Sequence, residues 1–137
     1  MKNFLITVFL LITAFASAQV NIVQRSHLTF PGKVCSNIWG YTDSLGREYA
    51  LVGTSTGISI VDVTNPDTSI LKVNVTGISS SWREIKTWGK YAYVTTEGCC
   101  NGLQIINLSY LPDSAPMKYY TGDGAIAGLL ARAHALH

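Results

Sequence analysis

The sequence predicts an all-β fold made of antiparallel four-stranded β-propeller blades, and two observations support that prediction. First, a β-rich unit occurs twice: YALVGT over residues 49–54 precedes GISIVDV over 57–63, and YAYVTT over 91–96 precedes GLQIINL over 102–108. The paired tyrosines lie 42 residues apart and the paired glycines 45 residues apart, a period typical of propeller blades. Second, the chain is rich in Val, Ile, Thr and Tyr and poor in Glu and Lys, which favours strands over helices.

Each repeat divides into four short strands, the number in one propeller blade. We predict strands over 37–42, 48–54, 58–63 and 70–75 in the first repeat, and over 83–88, 91–96, 103–108 and 117–121 in the second. Turn residues separate them, among them Gly46, Gly89 and Pro66, and a proline cannot donate to a sheet ladder. An N-terminal arm or strand over 19–34 therefore precedes a first blade-like repeat over 35–77 and a second over 78–122.

The first eighteen residues are predicted to be a cleavable signal peptide. Lys2 supplies a positive charge, residues 4–15 are apolar apart from two threonines, and ASA over 16–18 is a small-residue cleavage site between Ala18 and Gln19. The apolar core is shorter than the roughly 20 residues of a spanning helix. We therefore expect an exported protein, secreted or at the cell surface, with no transmembrane segment after signal cleavage.

Composition and motifs exclude several classes of partner. The formal net charge is +2, and it falls to +1 once Lys2 leaves with the signal. A chain so close to neutral lacks the concentrated positive charge with which proteins bind nucleic acid or an anionic membrane. The sequence contains no nucleophile elbow, no Gly-rich phosphate loop and no zinc-like ligand spacing. We predict no cofactor and no metal site, and the ligand or protein partner stays unidentified.

The three cysteines are an odd number for an exported protein, which meets an oxidising compartment. At least one of Cys35, Cys99 and Cys100 must stay unpaired within the chain. A bridge from Cys35 to one of the adjacent pair, a vicinal bridge between Cys99 and Cys100, and free buried thiols are all compatible with the sequence.

Arg83 and Glu84 are the candidate binding residues. They open the first strand of the second repeat, and first strands line the central channel of a propeller, so Arg83 is the best single candidate; an inter-blade salt bridge is the structural alternative. Trp39 and Trp88 fall near equivalent places and predict inter-blade packing. Asp62, after an apolar strand, predicts an Asx-type turn, with a calcium ligand as the functional alternative.

The last segment, 123–137, does not resemble a blade. It is rich in Gly and Ala, and Ile126, Leu129, Leu130 and Ala133 lie at helical spacing. A truncated third blade, a short helix, and foreign residues from a shifted reading frame or an incomplete gene all remain open.

The residues ISIVDVTNP over 58–66 resemble the LVIVD repeat, a propeller motif of exported bacterial proteins. The runs over 38–43, 46–53 and 82–86 are also similar to the choice-of-anchor B family, over about residues 35–122. This resemblance implies an exported β-propeller held at the cell surface by a C-terminal anchor. The sequence departs from the family pattern at Asn107, where the motif has Asp, and at Ala135, where a His-Asn pair is usual after the second blade.

Propellers typically have about 4–8 blades, so we expect this chain to be an N-terminal fragment of a longer propeller. We also expect it to need further blades or self-association. The favoured function is non-enzymatic binding or scaffolding. The alternatives are part of a propeller hydrolase or lyase with a central-channel site, and a truncated reading frame without function.

Overall fold

The computed structural model describes residues 22–136 and contains eight strands in two sheets. The predicted signal peptide and its cleavage point at Ala18 and Gln19 lie outside the described residues. Each sheet is an antiparallel meander in chain order, which confirms the all-β, four-stranded-blade prediction. The first blade contains β1 (Cys35–Thr42), β2 (Glu48–Thr54), β3 (Gly57–Asp62) and β4 (Ile70–Thr76), and the second contains β5 (Arg83–Trp88), β6 (Tyr91–Thr96), β7 (Leu103–Asn107) and β8 (Met117–Tyr120).

The two repeats superimpose in register as well as in sequence. Tyr49 of β2 pairs with Tyr41 of β1, and the corresponding Tyr91 of β6 pairs with Trp88 of β5.

Gly57 begins β3 with a φ of 143°. A Cβ atom there would lie against the carbonyl oxygen of Val75. Glycine is therefore required for the close approach of β3 to β4, because any side chain would force the strands apart.

The hydrophobic core lies between the two blades. The first blade contributes Tyr49, Leu51, Ile58, Ile60 and Val75, and the second contributes Ile85, Ala92, Val94, Ile106 and Leu108, all of them buried. These residues alternate along β2 and β6, so one face of each blade forms the core. The interface is the blade-on-blade stacking expected of a propeller.

An extended arm covers the other face of the first blade. We call the residues of this face Ile38, Ala50, Val52, Ser59 and Val61 the outer face of the first blade. Residues 22–34 contact the blade through Lys33, whose Nζ lies 2.8 Å from Asn74 Oδ1 and 3.4 Å from Ser59 Oγ. Val52, Ser59 and Val61 are buried although no second sheet lies on them. The centre of the outer face is therefore buried as well as the core face, which explains the nearly continuous apolar runs of β2 and β3, while Ile38 at its edge stays 63% exposed.

All predicted strand ends agree with the structure to within two residues, but one prediction about a side chain, the inter-blade packing of Trp88, needs correction. Trp39 does contact the second blade, because its Nε1 donates to Thr87 Oγ1 at 3.0 Å. Trp88, by contrast, is 81% exposed and makes no inter-blade packing within the described residues. The register explains the difference, since the true equivalent of Trp39 is Lys86, two residues earlier in β5. Among the alternatives left open for the tail, the described residues 123–136 form a 3₁₀ turn, Gly124–Ile126, and no α-helix.

The remaining tail runs across part of the second blade. Thr96 forms an isolated antiparallel bridge with Ala133, and Gly102 N donates to Ala131 O at 3.0 Å. Within residues 22–136, none of the helical turns has the length or apolar character needed to cross a bilayer.

Candidate functional site

Arg83, the predicted binding residue, lies between the two blades. It is the first residue of β5, its side chain points toward the first blade, and it is only 1% exposed. Nε donates to Thr54 O at 2.6 Å, and Nη2 donates to Ile78 O. Burial lowers the pKa of Arg83 from its ordinary value. The guanidinium therefore connects the end of β2 to the linker between the blades, through carbonyl groups rather than through the salt bridge suggested as the structural alternative.

Gln104 completes this buried polar site, and sequence reasoning did not single it out. Its Nε2 donates to Thr76 O at 2.9 Å, while its Oε1 is buried without a partner. A Cβ atom on Gly77 would lie 3.2 Å from both Arg83 Nη1 and Gln104 Oε1, so the linker backbone closes the site. The available signal was a glutamine inside an apolar strand, at the position where the first repeat has Ser59.

Glu84 lies on the opposite face of β5 from Arg83. Its Oε1 lies 3.5 Å from Lys86 Nζ, and its Oε2 accepts a hydrogen bond from Leu136 N at 3.1 Å. Lys86 Nζ in turn lies 4.1 Å from the centre of the Trp39 ring, a cation–π distance. The structure therefore separates the two predicted binding residues onto opposite faces of one strand and does not combine them into one site.

The tail is anchored beside Glu84 through His134. The His134 carbonyl accepts hydrogen bonds from Trp82 Nε1 at 3.0 Å and Thr95 Oγ1 at 3.2 Å. Its ring stacks on Trp82 with centroids 4.9 Å apart, and its Nδ1 lies 2.8 Å from Glu97 Oε1. Through these contacts, residues 130–136 cover part of the face of the second blade that points away from the first blade.

The outer part of that face is accessible. We call the residues Trp88, Tyr91, Tyr93, Ile105 and Lys118 the open face of the second blade. A shallow depression of about 430 Å³ lies over four of them, the exception being Trp88. A second depression, of about 410 Å³, brings Trp88 together with Tyr93 and Trp39. Aromatic side chains with one accessible side are typical of binding surfaces.

Asp62 makes the predicted Asx turn, with its Oδ1 accepting from Thr64 N at 3.0 Å. Hydrogen bonds from Thr64 hold the pKa of Asp62 below its ordinary value of 3.8, aided by Lys72 at 3.9 Å. Asn107 Oδ1 accepts from Ser109 N at 3.0 Å in the second repeat. The departure from the motif at Asn107 therefore preserves the turn. Over residues 22–136, His, Cys, Asp and Glu side chains form no cluster of three or more that is arranged to hold a metal ion.

Of the predicted disulfide candidates, Cys99 and Cys100 are bridged to each other, and Cys35 is free and exposed. The bridge lies in the loop between β6 and β7, close to the tail. This arrangement corresponds to the vicinal alternative among the pairings that the sequence left open.

Two stacked four-stranded blades with matching registers define the chain as a β-propeller-type repeat protein. A family model for the LVIVD repeat matches residues 44–77 and 81–115. These matches cover half of the chain, one on each blade, so the chain belongs to the LVIVD repeat family. Comparison with curated proteins and with solved structures finds no match.

Proposed function

We propose that this chain is an exported, surface-associated LVIVD-repeat propeller segment that acts in binding or as a scaffold. We further propose that it docks its partner through the open face of the second blade. The observation that supports docking is the exposure of Trp88, with Tyr91 and Tyr93 beside it on the same face. Exposed apolar patches with polar surroundings are typical of interaction sites, and Trp and Tyr are enriched among the residues that dominate binding.

Export is supported by the N-terminal pattern over residues 1–18, which has the order of a secretory signal. The similarity to the choice-of-anchor B family supports attachment at the cell surface.

The test combines cell fractionation with a substitution on the open face. A C-terminally tagged chain is expressed in its source cell, and the surface fraction is analysed for the tag and for the mature N-terminus. We expect a product that begins at Gln19 and is retained at the surface. Trp88→Ser should reduce surface retention, while Tyr110→Ser should not, because Tyr110 is an exposed aromatic residue on a loop outside the open face.

Two results would contradict the proposal, each for a different part of it. A tagged product that stays in the cytosol with residues 1–18 attached would contradict export. Equal surface retention of Trp88→Ser and the unmodified chain would contradict docking through the open face.

A further inference from the structure

The open face of the second blade is equivalent, residue by residue, to a face that the first blade buries. Register and repeat alignment match Trp88, Tyr91, Tyr93, Ile105 and Lys118 to Tyr41, Tyr49, Leu51, Ile60 and Val73. All five residues of the first blade belong to the core between the blades or pack against it. The stacking inside the chain therefore shows what kind of surface the open face is built to receive.

The surface that covers the first blade in this stack is the core face of β5, β6 and β7. Its central residues are Ile85, Ala92, Val94 and Ile106. The same alignment matches these to Ile38, Ala50, Val52 and Val61, four residues of the outer face of the first blade. The two sets are nearly identical in residue type, so the chain carries both halves of a second blade–blade interface.

One opposite-charge contact is available to this second interface. Within the chain, Lys90 lies beside the turn between β1 and β2, in a groove of about 560 Å³ between the blades. The residue equivalent to Lys90 in the first repeat is Glu48, which is exposed. Stacking a second copy in the same way would bring Glu48 of one copy to the turn that carries Lys90 of the other, and opposite charges there favour the correct register.

The arm over residues 22–34 is the only obstacle that the described residues place on the outer face. The arm's ion pair, between Arg25 and Asp67 at 2.6 Å, is more than half exposed on both sides. Exposed ion pairs of this kind contribute about 0–1 kcal/mol. Ile38 is 63% exposed even with the arm in place. The arm is held further by Lys33 Nζ, 2.8 Å from Asn74 Oδ1, and by Ser55 N, which donates to Val34 O at 2.8 Å. A docking blade would begin contact at the exposed Ile38 and would replace these contacts as it displaces the arm.

We propose that the open face of the second blade binds the outer face of the first blade of a second copy of this chain. This inference rests on the proposed docking role of the open face and names its occupant. The contact is head-to-tail. The open face of the second blade is the receiving face of each copy, and the outer face of the first blade is its docking face. Head-to-tail contacts form closed rings when the rotation between copies closes. Because propellers contain about 4–8 blades, a ring would need about two to four copies.

Paired substitutions on the two faces test the inference by sedimentation velocity over a concentration series. Trp88→Glu removes the receiving face and Ile38→Glu removes the docking face, and both side chains are exposed enough for the fold to tolerate the change. We expect the unmodified chain to assemble as concentration rises. Each variant alone should associate about tenfold or more weakly, as for the loss of a dominant contact residue. Tyr110→Glu, outside both faces, should assemble like the unmodified chain.

Mixing the two variants identifies the geometry. Trp88→Glu retains an intact docking face and Ile38→Glu retains an intact receiving face, so an equimolar mixture should form a dimer although neither variant does so alone. Circular dichroism of each variant confirms that both remain folded.

Three sedimentation results would overturn the inference. They are an unmodified chain that is monomeric at every concentration, assembly by Ile38→Glu but not by Trp88→Glu, and an equimolar mixture that stays monomeric. The second result would indicate face-to-face pairing of two open faces. An intact mass in the source cell several-fold above 14.9 kDa would also overturn it, because the occupant would then be a further repeat of the same polypeptide. The mature N-terminus at Gln19 would still decide the export part of the proposed function in that case.

Discussion

Replacing Arg83 by methionine separates a structural role from a binding role for this residue. Methionine keeps an unbranched apolar stem of similar length but cannot donate hydrogen bonds. Thr54 O and Ile78 O, which now accept from the guanidinium, would lose their donor between the blades. We therefore expect Arg83→Met to destabilise the inter-blade contact rather than to leave the fold unchanged.

The size of the effect follows from two opposing contributions. A buried polar group left without a partner costs about 1–3 kcal/mol, and two carbonyls are affected, of which that of Ile78 is only partly buried. Removing a buried charge recovers the desolvation cost that also lowers the pKa of Arg83. The expected net loss in the free energy of unfolding is about 2–4 kcal/mol. That is a large part of the roughly 5–15 kcal/mol typical of a folded domain.

Urea unfolding, followed by circular dichroism, measures this loss. Arg132→Met is the matched control, because Arg132 is exposed in the tail, and exposed substitutions usually change stability by less than about 0.5 kcal/mol. If Arg83→Met unfolds at the same urea concentration as Arg132→Met, the structural role assigned to Arg83 is wrong. A loss of ligand binding without a loss of stability would indicate the channel role predicted from the sequence.

Three further predictions concern turns and thiols. Asp62 has a lowered pKa in the folded chain, so its contribution to stability is present above pH 3.8 and is lost as pH falls through the folded pKa. Asp62→Asn should keep the turn, as Asn107 does, and should lose less stability than the unmodified chain between about pH 5 and about pH 2. An acid dependence of stability that the substitution leaves unchanged would contradict this role of Asp62. Gly57→Ala should destabilise the chain by more than about 2 kcal/mol, because its Cβ would meet backbone. The control Gly89→Ala, with open space around it but a φ of +55°, should cost only about 1–2 kcal/mol, and equal effects would refute the close approach. Without reduction, alkylation should modify Cys35 alone, and mass spectrometry showing three alkyl groups would contradict the vicinal bridge.

The strand order could be predicted because the signals for it are local. Glycine and proline mark the turns, and β-branched and aromatic residues fill the strands between them. The repeat then supplied the architecture, since two similar β-rich units at a blade-like spacing favour blades over a barrel or sandwich. The Asx turn at Asp62 was equally local and was predicted for the same reason.

The faces of the strands could not be predicted, because they depend on register. Arg83 was assigned to a channel, but its strand position directs it between the blades, where it contacts main-chain carbonyls. Trp39 and Trp88 lie at similar places in the two repeats, yet the pairing of β1 with β2 and of β5 with β6 offsets them by two residues, and Trp88 is exposed. Which surfaces are covered was also not predictable, since the arm and the tail reach their positions through long-range contacts such as Lys33 with Asn74 and Leu136 with Glu84.

Hydroxyl-radical footprinting at low and high protein concentration tests the central claim, that the open face of the second blade is a docking surface. In the dilute chain, Trp88 should be oxidised readily and the half-buried Tyr93 to a smaller extent, while the buried core residues Tyr49 and Leu51 are protected. At high concentration Trp88 and Tyr93 should become protected, and the loop residue Tyr110 should be oxidised equally under both conditions. Oxidation of Trp88 that is independent of concentration would contradict docking of a second copy, and protection of Trp88 in the dilute chain would contradict the open face itself.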